Sequence, residues 1–244
     1  MVNPIETLQK FIDEAEHIAF FGGAGVSTES GLPDYRSDDG AYTELERQKL
    51  DPRRVMSKSY LVNYPEKFFN QPNKSKKRIK PDPNAAHLYL AELESKPKDV
   101  RIITQNVDRL HQTAGSKLVV ELHGNNRHFH CMECGREYKP KEIQKDERNV
   151  PRCPIDHGII RADVVLFGEN IQPEILERAK ELIASSDLLI IAGTSLTVNP
   201  AKNLIHYFKG KRVVVINKTP LTIDFPIDLV IQDAVGEVFK QLTI

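Results

Sequence analysis

Ile18-Ala19-Phe20-Phe21-Gly22-Gly23-Ala24-Gly25 sets a short apolar run directly against a glycine turn. Four consecutive apolar residues ending in glycines predict a buried strand, and Ile5, Leu8, Phe11, Ile12 and Ala15, at helical spacing, predict a helix before it. The same alternation continues along the chain. A helix is predicted over 84–94, where Ala86, Tyr89, Leu90 and Leu93 repeat, followed by strands over 100–103 and 118–122. Further on come a strand over 163–167, a helix from about Pro173 to Ser185, and a strand over 188–192. A helix over 201–208, strands over 212–216 and 229–231, and a closing helix from about Ala234 complete the series. Val/Ile/Leu strands alternating with helices imply an α/β fold, a parallel sheet covered by helices on both faces. Two stretches, 34–83 and 126–161, break the pattern and are expected to form a small second domain, leaving 1–33, 84–125 and 162–244 for the large one.

Composition bounds the function. The chain has 244 residues, 40% hydrophobic and 28% charged, as expected for an ordinary soluble globular protein with a full core. Tryptophan is absent, so stacking platforms built on it are excluded. Lys+Arg and Asp+Glu both number 34, which removes any bulk electrostatic pull toward nucleic acid or anionic lipid. A partner must be held by a site. No apolar run approaches the roughly 18 residues of a membrane span, and the start MVNPIETLQKFIDEAEH is too acidic for a signal peptide, so a cytosolic location is expected. The basic, proline-containing stretch 71–83 reads as an exposed, solvated connection.

Four turns at the predicted carboxyl edge of the sheet carry the chemistry. Gly23-Ala24-Gly25 after the first strand lets a backbone approach a pyrophosphate, although Thr28 stands where a dinucleotide fingerprint would have its third glycine. Gln105, Asn106 and Asp108 follow the strand 100–103, where two amides and a carboxylate can hold ribose hydroxyls and a carboxamide; Asn106 or Asp108 can equally cap a helix. Gly193, Thr194 and Ser195 suit a phosphate or ribose, and Asn217 a second ribose. His123 ends another apolar strand and precedes Gly124, a position that leaves room for a substrate beside an imidazole able to accept a proton. His111 is expected on a helix, without chemistry.

Cys131 and Cys134, then Cys153 and Asp156, have the two-knuckle spacing of a zinc ribbon. Three thiolates with Asp156, or with the adjacent His157, can complete a tetrahedral structural site; the competing reading is a degenerate knuckle held by packing.

The segments GGAGVSTESGLPDYR, TQNVDRLHQTAG, His123-Gly124, CMEC with CPID, ADVVLFGE, GTSLTVNP and VVVINK, in this order, resemble the sirtuin family of NAD-dependent protein lysine deacylases over essentially the whole chain. The resemblance implies a Rossmann-type NAD-binding domain, a small zinc-ribbon and helical module, and an acyl-lysine protein or peptide as substrate. It implies that Gly23, Ala24, Gly25 and Ser27 hold the phosphates, while Asp34, Tyr35 and Arg36 lie on a cofactor loop. Gln105 and Asn106 would meet the nicotinamide ribose, Val107 and Asp108 the carboxamide, and Thr194, Ser195 and Asn217 the adenosine side. Val165, Leu166, Phe167, Gly168 and Glu169 would pair with the substrate backbone, and His123 would be the general base. Three departures stand out: Gly22 where many members have Thr, Asp156 for a fourth cysteine, and Phe69-x-x-Pro72 in place of the Tyr-x-x-Arg that binds acidic acyl groups. The last implies a preference for acetyl over succinyl. A protein mono-ADP-ribosyltransferase, a non-catalytic NAD-binding module and a dehydrogenase are the competing functions.

Overall fold

The structure is a computed structural model and describes residues 3–35, 37, 40–71 and 81–244. In chain order its strands are β1 (His17–Gly22), β2 (Asp99–Thr104), β3 (Val119–Glu121), β4 (Gly124–Cys131), β5 (Glu137–Tyr138), β6 (Gln144–Lys145), β7 (Pro151–Arg152), β8 (Ile160–Val164), β9 (Leu188–Ala192), β10 (Arg212–Ile216) and β11 (Leu229–Ile231). The chain divides into two compact units, Met1–Asp34, Lys80–Leu122 and Ile171–Ile244 forming one, Tyr35–Ile79 and His123–Asn170 the other.

The first unit is a six-stranded, wholly parallel sheet in the order β11-β10-β9-β1-β2-β3. This is the doubly wound arrangement whose strand order reverses on either side of β1, so a crevice opens between β1 and β9 at their carboxyl ends. Strand side chains alternate between two cores. Ile18, Phe20, Ile102, Ile190 and Val214 face Leu8, Leu90, Val238 and Phe239 of the helices Pro4–Glu14, Ala85–Glu94 and Val235–Phe239. Ala19, Phe21, Ile103, Ile191 and Val215 face Ala179, Leu182 and Ile183 of the helix Pro173–Ala184 together with Leu204 and Ile205. The segment expected as an α-helix over 201–208 is a 3-10 helix, Ala201–Tyr207. On β2, buried Arg101 donates to Leu182 O at 3.1 Å, one of the last-turn carbonyls of the helix Pro173–Ala184, and to Ser185 Oγ at 2.7 Å.

The second unit holds the antiparallel sheet β5-β4-β8, the pair β6-β7 and the short helices Ala41–Arg47, Pro52–Val55, Lys58–Asn63 and Pro65–Phe69. The strand expected over 163–167 in the main sheet is corrected here. The strand formed is β8, and it pairs with β4, Cys131 opposite Ile160 and Phe129 opposite Ala162. Pairing to the cysteine knuckles draws residues 123–125 and 162–170 into the second unit, and Phe167 leaves the ladder to bridge Ser57. No helix among the described residues is long and apolar enough to cross a membrane. Most of the basic stretch, residues 72–80, lies outside the described residues.

Candidate active site

On the first unit, the turn after β1 locks backbone to backbone against the turn after β9. Gly23 N–H donates to Ala192 O at 3.1 Å and Gly25 N–H to Gly193 O at 2.8 Å. A Cβ at Gly25 would lie 2.8 Å from Gly193 Cα, and one at Gly193, whose φ is +57°, would lie 2.4 Å from Val26 N. Only glycine fits either place. The 3-10 turns Ala24–Val26 and Thr28–Ser30 follow, with Val26 N–H donating to Gly23 O and Ser27 N–H to Ala24 O. Among the described residues Ala24 N–H has no acceptor, a main-chain donor of the kind an anion requires.

Behind that turn lies a closed polar cluster. Ser27, 2% exposed, donates its hydroxyl to Asp108 Oδ2 at 2.8 Å and accepts from Asn106 Nδ2 at 3.1 Å. Asn106 Nδ2 also donates to Gly23 O at 3.0 Å, while its N–H donates to Thr104 Oγ1. The other oxygen of Asp108 accepts Leu110 N–H at 2.9 Å, so the carboxylate both holds the first residue of the helix Leu110–Ala114, whose N-cap is Arg109, and serves the cluster. Gln105 Nε2 donates to Thr194 Oγ1 at 2.9 Å, tying the end of β2 to the end of β9. Val107 is half-buried beside these residues in the chain. The structure therefore brings together Gly23, Gly25, Ser27, Gln105, Asn106, Asp108, Gly193 and Thr194. Ser195, exposed, pairs with Thr197 Oγ1 at 3.0 Å, and Asn217 donates to Thr219 O at 2.7 Å within its own turn. Asp34 is half-buried, and Arg36 lies outside the described residues.

On the second unit, His123 is half-buried, and its carbonyl accepts Val165 N–H at 2.9 Å. Gly124 next to it has φ +70°, and a Cβ there would stand 1.8 Å from Asp163 O, so β4 and β8 can meet only over a glycine. Residues 165–169 form an irregular segment beyond β8. Phe167 N–H donates to Met56 O at 3.2 Å, Phe167 O accepts Lys58 N–H at 3.0 Å, and Gly168 turns the chain at φ +85°. Tyr35 packs against Tyr42 with ring centroids 4.8 Å apart and planes tilted by 43°, and the Tyr42 ring in turn lies 6.2 Å from that of Phe167. Glu169 is half-buried; burial works against its charge, but hydrogen bonds from Arg161 and Leu166 N–H, with the charges of Arg161 and Lys58, hold its carboxyl below the usual range.

The four expected metal ligands converge. Cys131, Cys134 and Cys153 Sγ and an Asp156 oxygen all lie within 4.8 Å of one another. Cys134 and Cys153 sulfurs are 3.9 Å apart, close to the roughly 3.8 Å edge of a tetrahedron with zinc–sulfur bonds of about 2.3 Å. Asp156 Oδ1 lies 3.3 Å from Cys131 Sγ and accepts Gly158 N–H at 2.9 Å. Hydrogen bonds from Cys134, Cys153 and Gly158 hold the Asp156 carboxyl below its usual range, so it presents an anionic oxygen. Tyr138 Oη lies 3.0 Å from Cys153 Sγ, a neighbour outside the ligand set. His157, the alternative ligand, is exposed and takes a positive φ of 60°. The donor set thus fits a closed zinc site with Asp156 as the fourth ligand.

Three contributors escaped sequence reasoning. Asn84 caps the helix Ala85–Glu94 and donates Nδ2 to Val26 O at 2.7 Å, bracing the glycine turn; an Asn before a helical apolar repeat was the available signal. Arg161 and the 56–58 segment support residues 165–169, and only tertiary pairing reveals them.

With this geometry in place, comparison with known proteins is informative. The Sir2 family profile matches residues 23–200. A protein of Clostridium perfringens named NAD-dependent protein deacetylase is 44% identical over 245 residues, covering 99% of each chain. One of the same name from Clostridium acetobutylicum is 41% identical, covering 98% of each. Among solved structures, Sir2 bound to acetylated peptide superposes with a TM-score of 0.83 at 31% identity, covering 97% of this chain and 96% of that one. A Sir2 complex with a peptide and NAD+ gives 0.82 at 32% identity, covering 98% and 97%.

Proposed function

The chain belongs to the Sir2 family, and from that premise we propose that it is an NAD-dependent protein lysine deacetylase, transferring the acyl group to ADP-ribose with release of nicotinamide. The observation that carries the reading is the cluster of buried Ser27 and Asn106 with half-buried Asp108 at the switch point of a doubly wound sheet. Bound NAD supplies the electrophilic ribose carbon and the nicotinamide leaving group.

The protein's own residues do the rest. Gly23, Ala24, Gly25 and Ser27 bind the phosphates, with Ala24 N–H as a ready donor. Gln105 and Asn106 orient the nicotinamide ribose, and Val107 and Asp108 engage the carboxamide. Gly193, Thr194, Ser195 and Asn217 serve the adenosine side. Asp34, Tyr35 and Arg36 belong to the cofactor loop, where the Tyr35 ring shields the reacting carbon from water. His123 takes the proton from a ribose hydroxyl, an assistance typically worth about 10²- to 10⁴-fold in rate. Residues 165–169 receive the peptide backbone of an acyl-lysine protein. Cys131, Cys134, Cys153 and Asp156 hold a structural zinc, the closed set leaving no position for substrate.

Neutral acyl groups are preferred, because Phe69 offers neither the hydroxyl nor the cation that an acidic acyl chain needs; its companion position, Pro72, lies outside the described residues. The protein acts in the cytosol on protein substrates, without direct nucleic-acid or membrane binding. Nicotinamide release measured with acetyl-lysine and succinyl-lysine peptides tests the reading. Acetyl-peptide-dependent release that collapses in His123→Ala is expected; faster succinyl removal would overturn the acyl preference, and adenosine label on protein without deacetylation would replace the activity by ADP-ribosyl transfer.

A further inference from the structure

Arg161 is a charged side chain only 7% exposed, and its side-chain hydrogen bonds go to two carbonyls of its own strand β8 and to the carboxylate of Glu169 just beyond it. Its Nη1 and Nη2 grip both oxygens of Glu169, at 2.8 and 3.0 Å. Its Nε donates to Ala162 O at 3.1 Å, and Nη2 also donates to Val164 O. A buried ion pair is a poor source of net stability, since desolvation offsets most of the attraction. A two-pronged guanidinium–carboxylate fork does fix orientation.

The orientation fixed here is that of Glu169. Its Oε2 accepts Leu166 N–H at 2.9 Å, while Glu169 N–H donates to Leu166 O at 3.0 Å around Gly168. Leu166 is thereby tied at both backbone groups by one residue. The neighbouring backbone at Val165 and Phe167 is held by His123 O, Met56 O and Lys58 N–H. Lys58 Nζ adds a more distant charge, 3.8 Å from Glu169 Oε1. The segment is stapled from its two flanks, and Arg161 is the anchor of one staple.

Building on the deacetylase reading, we propose that Arg161 is a positioning residue for acyl-peptide binding, shaping residues 165–169 through Glu169 so that the peptide backbone adds to a pre-set edge. A pre-set edge spares the peptide the entropy of ordering the segment, so its loss falls on peptide affinity and leaves the chemical step alone.

The test is steady-state nicotinamide release by Arg161→Met, Arg161→Lys and Glu169→Gln, varying acetyl-lysine peptide at saturating NAD and then the reverse. Arg161→Lys keeps the charge without the fork and covers the case in which Arg161→Met does not fold. Both Arg161 variants should raise peptide KM about tenfold, equivalent to about 1.4 kcal/mol, with kcat and NAD KM within about twofold of wild type. Glu169→Gln, which keeps an acceptor for Leu166 N–H, should raise peptide KM less than Arg161→Met. Amide exchange read by mass spectrometry should quicken across residues 165–169 in the Arg161 variants. Unmoved peptide KM in an otherwise active enzyme overturns the inference alone, as does a fall in kcat with both KM values unchanged. A wild-type protein with no acetyl-peptide-dependent release overturns the deacetylase reading, and the inference with it.

Discussion

Ser27 donates its hydroxyl to Asp108 across 2.8 Å while accepting Nδ2 of Asn106, so three residues from two distant turns share one buried oxygen. Removing that oxygen takes the hydroxyl donor from Asp108 Oδ2 and leaves Asn106 Nδ2 with Gly23 O. Ser27→Ala should therefore cost about 1–3 kcal/mol of stability and weaken NAD binding, since Asn106 and Asp108 lose their common reference. Urea denaturation and calorimetric titration with NAD check both effects. A variant as stable as wild type, with unchanged affinity, would remove the cluster from the account.

The glycine lock predicts a second outcome. Gly25→Ala would press a methyl against Gly193 Cα at 2.8 Å, where neither backbone can yield without disturbing the β1 and β9 turns. Overpacking of this kind costs about 1–3 kcal/mol. Nicotinamide release should fall sharply even in the folded fraction, as judged by circular dichroism and activity on the same sample.

His123 carries a sharper expectation. His123→Ala should lower turnover by about 10²- to 10⁴-fold while calorimetry finds NAD bound nearly as tightly as before. Equal losses in turnover and NAD affinity would point to a binding role in place of proton transfer.

Metal analysis should find one zinc per chain. Asp156→Ala leaves three thiolates and should lose zinc readily to a chelator, whereas Asp156→Cys should retain it longer, because a thiolate is the softer ligand. Chromogenic zinc release followed over time distinguishes the three proteins. Identical release from all three would remove Asp156 from the ligand set.

Acid stability reports on a different pair. His87 and His111 are buried, with ring centroids 4.6 Å apart. Burial pushes His87 down to about 4, and burial with the nearby His87 holds His111 well below the usual range. The unfolded chain takes up these protons from about pH 6.5 downward and the folded chain does not, so stability rises with pH across this window. Stability should thus be lost as pH falls from about 6.5 toward 4, by an amount on the order of 3 kcal/mol for His87. His87→Gln should flatten that slope in pH-dependent urea titrations; a slope equal to wild type would assign acid sensitivity elsewhere.

Much of this protein was legible in its residues. Strand β1 followed by glycines, the helical repeat over 84–94 and the apolar runs at β9 and β10 are local patterns, imposed by period and burial within a few residues, and they predicted the parallel sheet. The cysteine spacing likewise announced a knuckle pair, because a tetrahedral metal constrains ligands that are near in sequence. Tertiary structure alone decided the rest. The strand expected over 163–167 of the main sheet forms instead over Ile160–Val164, and only its pairing with β4 decided this. The Gly25–Gly193 contact, the dual use of Asp108 and the grip of Arg161 on Glu169 depend on distances between segments that spacing along the chain does not encode. Local periodicity specifies which elements form; the close approach of backbones and the pairing of buried polar groups arise only once those elements pack.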